Sequence, residues 1–268
     1  MPCRTIVFSH ANSFPASTYR SLFKVWQSAG FEVHAIDKFG HDPRYPVTPD
    51  WPHLVEQLRD FVEQQVGRPA YLIGHSLGGY LSLMLASRHP DLAQGLILLD
   101  SPILSGWKAA SLGLLKTLGG IDRVMPSGVS AQRCHRWPDL ESARQHFTVK
   151  PKFAAFSPSV LAAYVQEGTT LAPDAPVRRL SFDRDIETAI YRTLPHKLVQ
   201  ELRRHPVRCP AAFMGGTRSS EVRSIGLSAT RRLVGERISW IQGSHLFPME
   251  HPQQTAREVL QWLQQFEP

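Results

Sequence analysis

Residues 71–81 read YLIGHSLGGYL: an apolar run ending at a glycine, a single hydroxyl between glycines, then apolar residues at helical spacing. Its centre, Gly74-His75-Ser76-Leu77-Gly78, fits G-x-S-x-G, a pattern that a chain this long shows by chance roughly one time in ten. The flanking residues decide its meaning. Residues 70–74 are a short β-rich run, and residues 77–88 form a helical pattern that stops near His89-Pro90, since the residue before a proline is pushed out of helical backbone angles. A strand, a sharp turn and a helix therefore meet at Ser76. Such a turn strains its central residue, and glycines at 74 and 78 remove the β-carbons that would collide where strand and helix approach. The hydroxyl then stands beyond the strand's C-terminal end, where the N–H groups and dipole of the helix favour developing negative charge.

Five further runs resemble this strand: residues 5–9, 31–37, 96–100, 211–215 and 237–242. Most are followed by a helical pattern, and their near-continuous apolar character points to strands buried on both faces, as in a parallel sheet covered by helices. The expected fold class is α/β, with about six parallel strands. The first run begins so close to Met1 that no antiparallel hairpin is expected ahead of it. Between the fourth and fifth runs the rhythm breaks. Residues 102–206 are read as an inserted helical cap, with helical patterns at 112–118, 130–147, 158–167 and around 186–202, and the core is assigned to 1–101 and 207–268. The last helix, 253–266, carries Ala256, Val259, Leu260 and Leu263 at helical spacing and is expected to cover the sheet.

Composition narrows the class. The 268 residues are 42% hydrophobic, enough for a sizeable core. No apolar run reaches the ~18 residues that a membrane-spanning helix needs, and no signal-peptide pattern opens the chain, so a cytoplasmic protein without a membrane partner is expected. Cys3, Cys134 and Cys209 are odd in number and far apart, which gives neither a disulfide framework nor a metal motif. The net charge of +7 comes from dispersed arginines rather than a basic stripe interleaved with aromatics, so nucleic acid is not an expected partner. No metal or organic cofactor is expected: no His pair has i, i+4 spacing on a helix, and no Lys-Ser/Thr follows the glycines at 78 and 79.

A serine hydroxyl needs an imidazole as general base, and in a parallel sheet only loops at the C-terminal strand ends share its edge. Of twelve histidines, His245 meets this condition, in the loop Gly243-Ser244-His245-Leu246 after the last run. His251, just before Pro252, reads as a capping residue of the last helix. The elbow at Ser76, the late Gly-Ser-His loop and the inserted helical segment together resemble the α/β-hydrolase fold family, over residues 1–100 and 206–268 in order of elements. The resemblance implies a serine, acid and histidine triad in that chain order. After residue 215 the family most often offers an aspartate, whereas here the loop Gly216-Thr217-Arg218-Ser219-Ser220-Glu221 holds one carboxylate. Glu221 is the leading candidate for the acid, and Asp100, at the end of the fourth run, is the alternative. The oxyanion donors implied by the resemblance are the N–H groups of Leu77 and Asn12.

The expected activity is hydrolysis of a carboxylic ester or related small acyl compound through an acyl-enzyme on Ser76. A non-catalytic small-molecule binding protein on the same fold, an acyltransferase and a carbon–carbon bond hydrolase are the alternatives. His75, Trp107, Trp137, Phe153, Phe156 and Tyr164 are candidates for the substrate pocket. Arg133, Arg136 and Arg144 are spaced to let at least two share a helical face. Short or medium acyl esters are the expected substrates.

Overall fold

The computed structural model describes residues 4–123 and 126–267, so that Cys3 lies outside the described residues. The first four runs are strands β1 (Arg4–Ser9), β2 (Phe31–Ala35), β3 (Ala70–His75) and β4 (Ala93–Leu99). Three short strands follow, β5 (Arg136–Trp137), β6 (Thr169–Leu171) and β7 (Arg178–Leu180), before β8 (Ala211–Gly216) and β9 (Ile238–Ile241) complete the main sheet. The six long-range partners lie in the order β2-β1-β3-β4-β8-β9, and every pair is parallel.

Neighbouring residues along each strand feed two different cores. Ile6, Phe8, Ile73, Ile97 and Leu99 point to one face, where Trp26 of helix Arg20–Ser28 and Val259 and Leu263 of helix Pro252–Phe266 cover them. Val7, Leu72, Leu96 and Leu98 point to the other, under Leu54 and Leu58 of helix Pro52–Phe61 and Leu81 and Leu85 of helix Leu77–Arg88. With both faces apolar, the strands lose polar alternation. The Trp26 indole N–H donates to the Ala256 carbonyl at 3.1 Å and fixes one covering helix on the other. Helix Leu77–Arg88 is buried from Leu77 to Ser87, the pattern of a helix apolar on all sides.

The segment between β4 and β8 is mostly helical, as expected, but two of its helices are shorter than the pattern suggested. The stretch 130–147 splits into helix Ser127–Gln132, strand β5 and helix Leu140–Thr148. Pro138 interrupts it, and Asp139 starts a new helix by accepting the Ser142 N–H at 2.7 Å. The stretch 186–202 is divided likewise into Arg184–Arg192 and Leu198–Arg204 around Pro195. Strands β5, β7 and β6 form a small antiparallel sheet, too short for alternation to announce it in the sequence. Phe147, Phe153, Phe156, Val160 and Tyr164 join the first core, and Phe182, Ile190 and Leu198 the second. Most buried residues of this segment are therefore continuous with the two cores that flank the sheet. Among the described residues, no helix is long and apolar enough to cross a membrane.

The close approach of β1 to the helix after β3 has a measurable cost if disturbed. A β-carbon at Gly78 would overlap the backbone carbonyl of Ser9, which cannot move aside, whereas one at Gly67 would meet nothing within 4 Å. Gly78→Ala should destabilise the protein by about 3 kcal/mol or more and lower Tm by about 6–12 °C. Gly67→Ala, strained only by its positive φ of 70°, should cost about 1 kcal/mol. Calorimetry giving equal losses for the two would contradict the packing account.

Candidate active site

Four loops at the C-terminal ends of adjacent strands bring the chemistry together: Ser76 follows β3, Asp100 follows β4, Glu221 lies beyond β8 and His245 beyond β9. Ser76 has φ 53° and ψ −113°, and Asp100 has φ 45°, a region that residues with a β-carbon rarely enter. Surrounding bonds hold both. The Ser76 N–H donates to Leu99 O at 3.0 Å, the Ser101 hydroxyl donates to Ser76 O at 3.0 Å, and the Gly78 N–H donates to His10 O at 3.1 Å. Strain at these two positions is thus fixed by the neighbouring strands rather than by local preference.

His245 stands between a hydroxyl and a carboxylate. Its Nε2 lies 2.9 Å from Ser76 Oγ, and its Nδ1 lies 2.6 Å from Asp100 Oδ2. Asp100 is buried, and its carboxylate also accepts the Gly216 N–H at 2.7 Å and the Ser219 hydroxyl at 2.6 Å. A carboxylate only accepts, so Nδ1 carries the proton and Nε2 is left to receive one from Ser76. Of the two candidate carboxylates, it is Asp100, the alternative, that hydrogen-bonds the imidazole. Glu221 Oε2 remains 3.8 Å from Nδ1 because its place in the first turn of helix Ser220–Ile225 holds the carboxylate on a partly exposed rim, where it accepts the Ser220 hydroxyl at 2.8 Å. Ser219 supports both arrangements: it donates to Asp100 and accepts the Val222 N–H at 3.1 Å as helix cap.

Electrostatics follow from this geometry. Burial alone would lower the pKa of His245, but the hydrogen bond and charge of Asp100, with the charge of Glu221, raise it above the ordinary value. Burial pushes the Glu221 carboxyl upward, yet His245 and the Ser220 and Ser219 hydroxyls outweigh it and the pKa falls. Asp100, Glu221 and His245 offer three ligand atoms within 4.8 Å of one another. Any cation there would have to displace the Nδ1 proton and the hydrogen bonds that hold Asp100.

Asn12 is buried, and its amide Nδ2 donates to Glu187 O at 3.0 Å. Among the described residues, neither the N–H of Asn12 nor that of Leu77 donates to a backbone carbonyl outside the helices and strands.

The expected pocket residues take varied positions. His75 is wholly buried and bonds to Tyr19 and to the His245 backbone. Trp107 is 74% exposed on helix Gly106–Thr117. Trp137, Phe153, Phe156 and Tyr164 are buried against one another and against Phe14 and Phe147, with ring centroids 4.8 Å apart for Phe153–Tyr164 and 5.1 Å for Phe14–Tyr164. Their apolar surface is used for packing. The three arginines do not share a helix: Arg133 forms a part-buried pair with Glu187 at 2.7 Å, while Arg136 pairs with Asp174 and Arg144 with Glu141 at the surface. Tyr19, Ser219 and Glu187 were not singled out in the sequence. Only Ser219 carried a signal, as a serine three residues before Val222 at a helix start.

Residues 6–258 match the family model described as the alpha/beta hydrolase family. The chain is 31% identical over 104 residues to a pyrethroid hydrolase of Sphingobium wenxiniae, covering 38% of this chain and 37% of that protein. It is 40% identical over 73 residues to a pimeloyl-[acyl-carrier protein] methyl ester esterase of Neisseria meningitidis, covering 27% of each. The matches thus span little more than a third of these relatives' length at most. The crystal structure of E-2-(acetamidomethylene)succinate hydrolase superposes with a TM-score of 0.76 at 19% identity, over 98% of this chain and 91% of that one, a likeness of fold.

The charge arrangement can be tested without a substrate. Both carboxylates favour the imidazolium, so removing either charge must lower the pKa of His245. In an NMR titration, Glu221→Gln should shift it downward, and Asp100→Asn further. An unchanged value in both variants would contradict the geometry.

Proposed function

The chain belongs to the alpha/beta hydrolase family, and from that membership we propose that it is a carboxylic ester hydrolase working through an acyl-enzyme on Ser76. The observation that carries this reading is the unbroken hydrogen-bonded series from Ser76 Oγ through His245 to Asp100. His245 Nε2 takes the hydroxyl proton as Ser76 attacks the ester carbonyl, and Asp100 steadies the imidazolium without itself becoming protonated. The Leu77 and Asn12 N–H groups receive the negative charge that develops on the carbonyl oxygen. The imidazolium then gives its proton to the departing alkoxide. Water, activated by the same Nε2, releases the acid and restores Ser76.

Residues 102–206 act in this reading as a cap over the strand ends. Relatives named for hydrolysis of a pyrethroid and of a methyl ester favour ester substrates, and the closely packed aromatic cluster of the cap favours short or medium acyl groups. The binding-only alternative would be favoured by an imidazole without an acid partner. The bond from His245 to Asp100 speaks against it.

Three substitutions test the roles, each with the melting temperature measured alongside. Ser76→Ala should abolish ester turnover, Asp100→Asn should lower kcat by about 10³–10⁴-fold, and Glu221→Gln should lower it by less than about tenfold. The reverse ranking of the two acids would move the triad acid to Glu221. Across p-nitrophenyl esters of rising chain length, kcat/KM should peak at short or medium acyl groups, and a peak at long chains would contradict the enclosed-cap reading.

A further inference from the structure

Beneath the site lies a second chain of buried hydrogen bonds that the reaction itself does not use. The Ala11 N–H donates to Tyr19 Oη at 3.2 Å, Tyr19 Oη lies 2.7 Å from His75 Nδ1, and His75 Nε2 lies 2.9 Å from the backbone oxygen of His245. Its direction follows from elementary chemistry. The His245 carbonyl can only accept, so Nε2 of His75 carries the hydrogen. Full burial, then the neighbouring His245, hold the pKa of His75 well below its ordinary value, so the ring is neutral and its Nδ1 accepts. The Tyr19 hydroxyl must then donate to Nδ1, which leaves its oxygen lone pairs for Ala11.

We infer that Tyr19 and His75 are positioning residues, a fixed relay that joins the loop of Asn12 to the loop of His245 and sets the reach of the imidazole to Ser76. The inference rests on the roles proposed above for Ser76 and His245. Three features support it. Ala11 is bonded one residue before Asn12, and the carbonyl at the other end belongs to the residue whose ring faces Ser76. His75 itself adjoins Ser76 in the chain, so one side chain ties the turn at Ser76 to both loops. Packing leaves the relay little freedom: the Tyr19 ring lies 4.6 Å from Phe8, and the His75 and His245 rings are 5.2 Å apart. A merely space-filling residue at 75 would leave the Tyr19 hydroxyl and the His245 carbonyl buried without their present partner, a costly state that displaced loops would relieve.

Glutamine is the discriminating replacement, because its Oε1 can accept from Tyr19 and its Nε2 can donate to His245. Leucine can do neither. The probe is the rate at which a fluorophosphonate labels Ser76, measured with kcat and KM for a p-nitrophenyl ester and with the melting temperature. His75→Leu should slow labelling and lower kcat by about 10²-fold with KM nearly unchanged, since positioning acts on the reacting geometry. His75→Gln should recover to within about tenfold of the parent, and Tyr19→Phe, which removes one oxygen and serves if His75→Leu does not fold, should lose about tenfold. Within one relay the effects are not additive, so Tyr19→Phe combined with His75→Leu should be no slower than His75→Leu alone. Folded variants of both residues that label at the parental rate, or a glutamine variant as slow as the leucine one, would overturn the relay. A parent protein that the probe does not label would instead remove the reading of Ser76 on which the relay rests.

Discussion

The bond between His245 Nδ1 and the buried carboxylate of Asp100 orders everything around it. It fixes which imidazole nitrogen carries a proton, and so leaves Nε2 aimed at Ser76 as an acceptor. A buried carboxylate is unfavourable unless several donors meet it, and here the Gly216 N–H and the Ser219 hydroxyl supply the remaining bonds. Those donors exist because β8 lies directly beside β4 in the sheet. The parallel topology therefore supplies the partners of the acid as well as its position.

The same economy explains the strained backbone. Ser76 and Asp100 both take positive φ values, and both are pinned by bonds to adjacent strands, the Ser76 N–H to Leu99 and the Asp100 N–H to Met214 at 2.8 Å. Strain of this kind costs on the order of 1–3 kcal/mol per residue and persists only where surrounding structure outweighs it. The glycines at 74 and 78 are needed for the same reason: each would place a β-carbon on another backbone segment. Packing across the sheet thus holds the Ser76 hydroxyl at a position that no isolated turn would maintain.

Much of this was legible in the sequence, because it depends on local signals. The six runs were long and apolar enough to mark the parallel strands, and Gly74, Ser76, Gly78 and the Pro90 stop marked the elbow and its helix. His245 followed from topology, since it had to lie on the serine's sheet edge. The acid was harder. Glu221 is the carboxylate of the loop where such an acid is most often found, but the decision between it and Asp100 turns on a difference between 3.8 and 2.6 Å, which arises from where helix Ser220–Ile225 begins. Residues 102–206 were harder still. Their aromatic residues were visible, but whether a ring lines a cavity or fills a core depends on neighbours far along the chain, as Phe14 against Tyr164 shows. His75 illustrates the same limit, since its partners Tyr19 and His245 lie 56 and 170 residues away.

The central claim is that Ser76 becomes covalently acylated during turnover, and direct capture of that intermediate tests it most closely. A p-nitrophenyl ester mixed with the protein and quenched in acid within the first turnovers should leave one acyl group per chain. Peptide mapping by mass spectrometry should place it on Ser76, in the peptide that contains the G-x-S-x-G turn. Turnover of the ester with the acyl group on another residue, or with Ser76 unmodified at every quench time under conditions where acylation outpaces hydrolysis, would contradict the account.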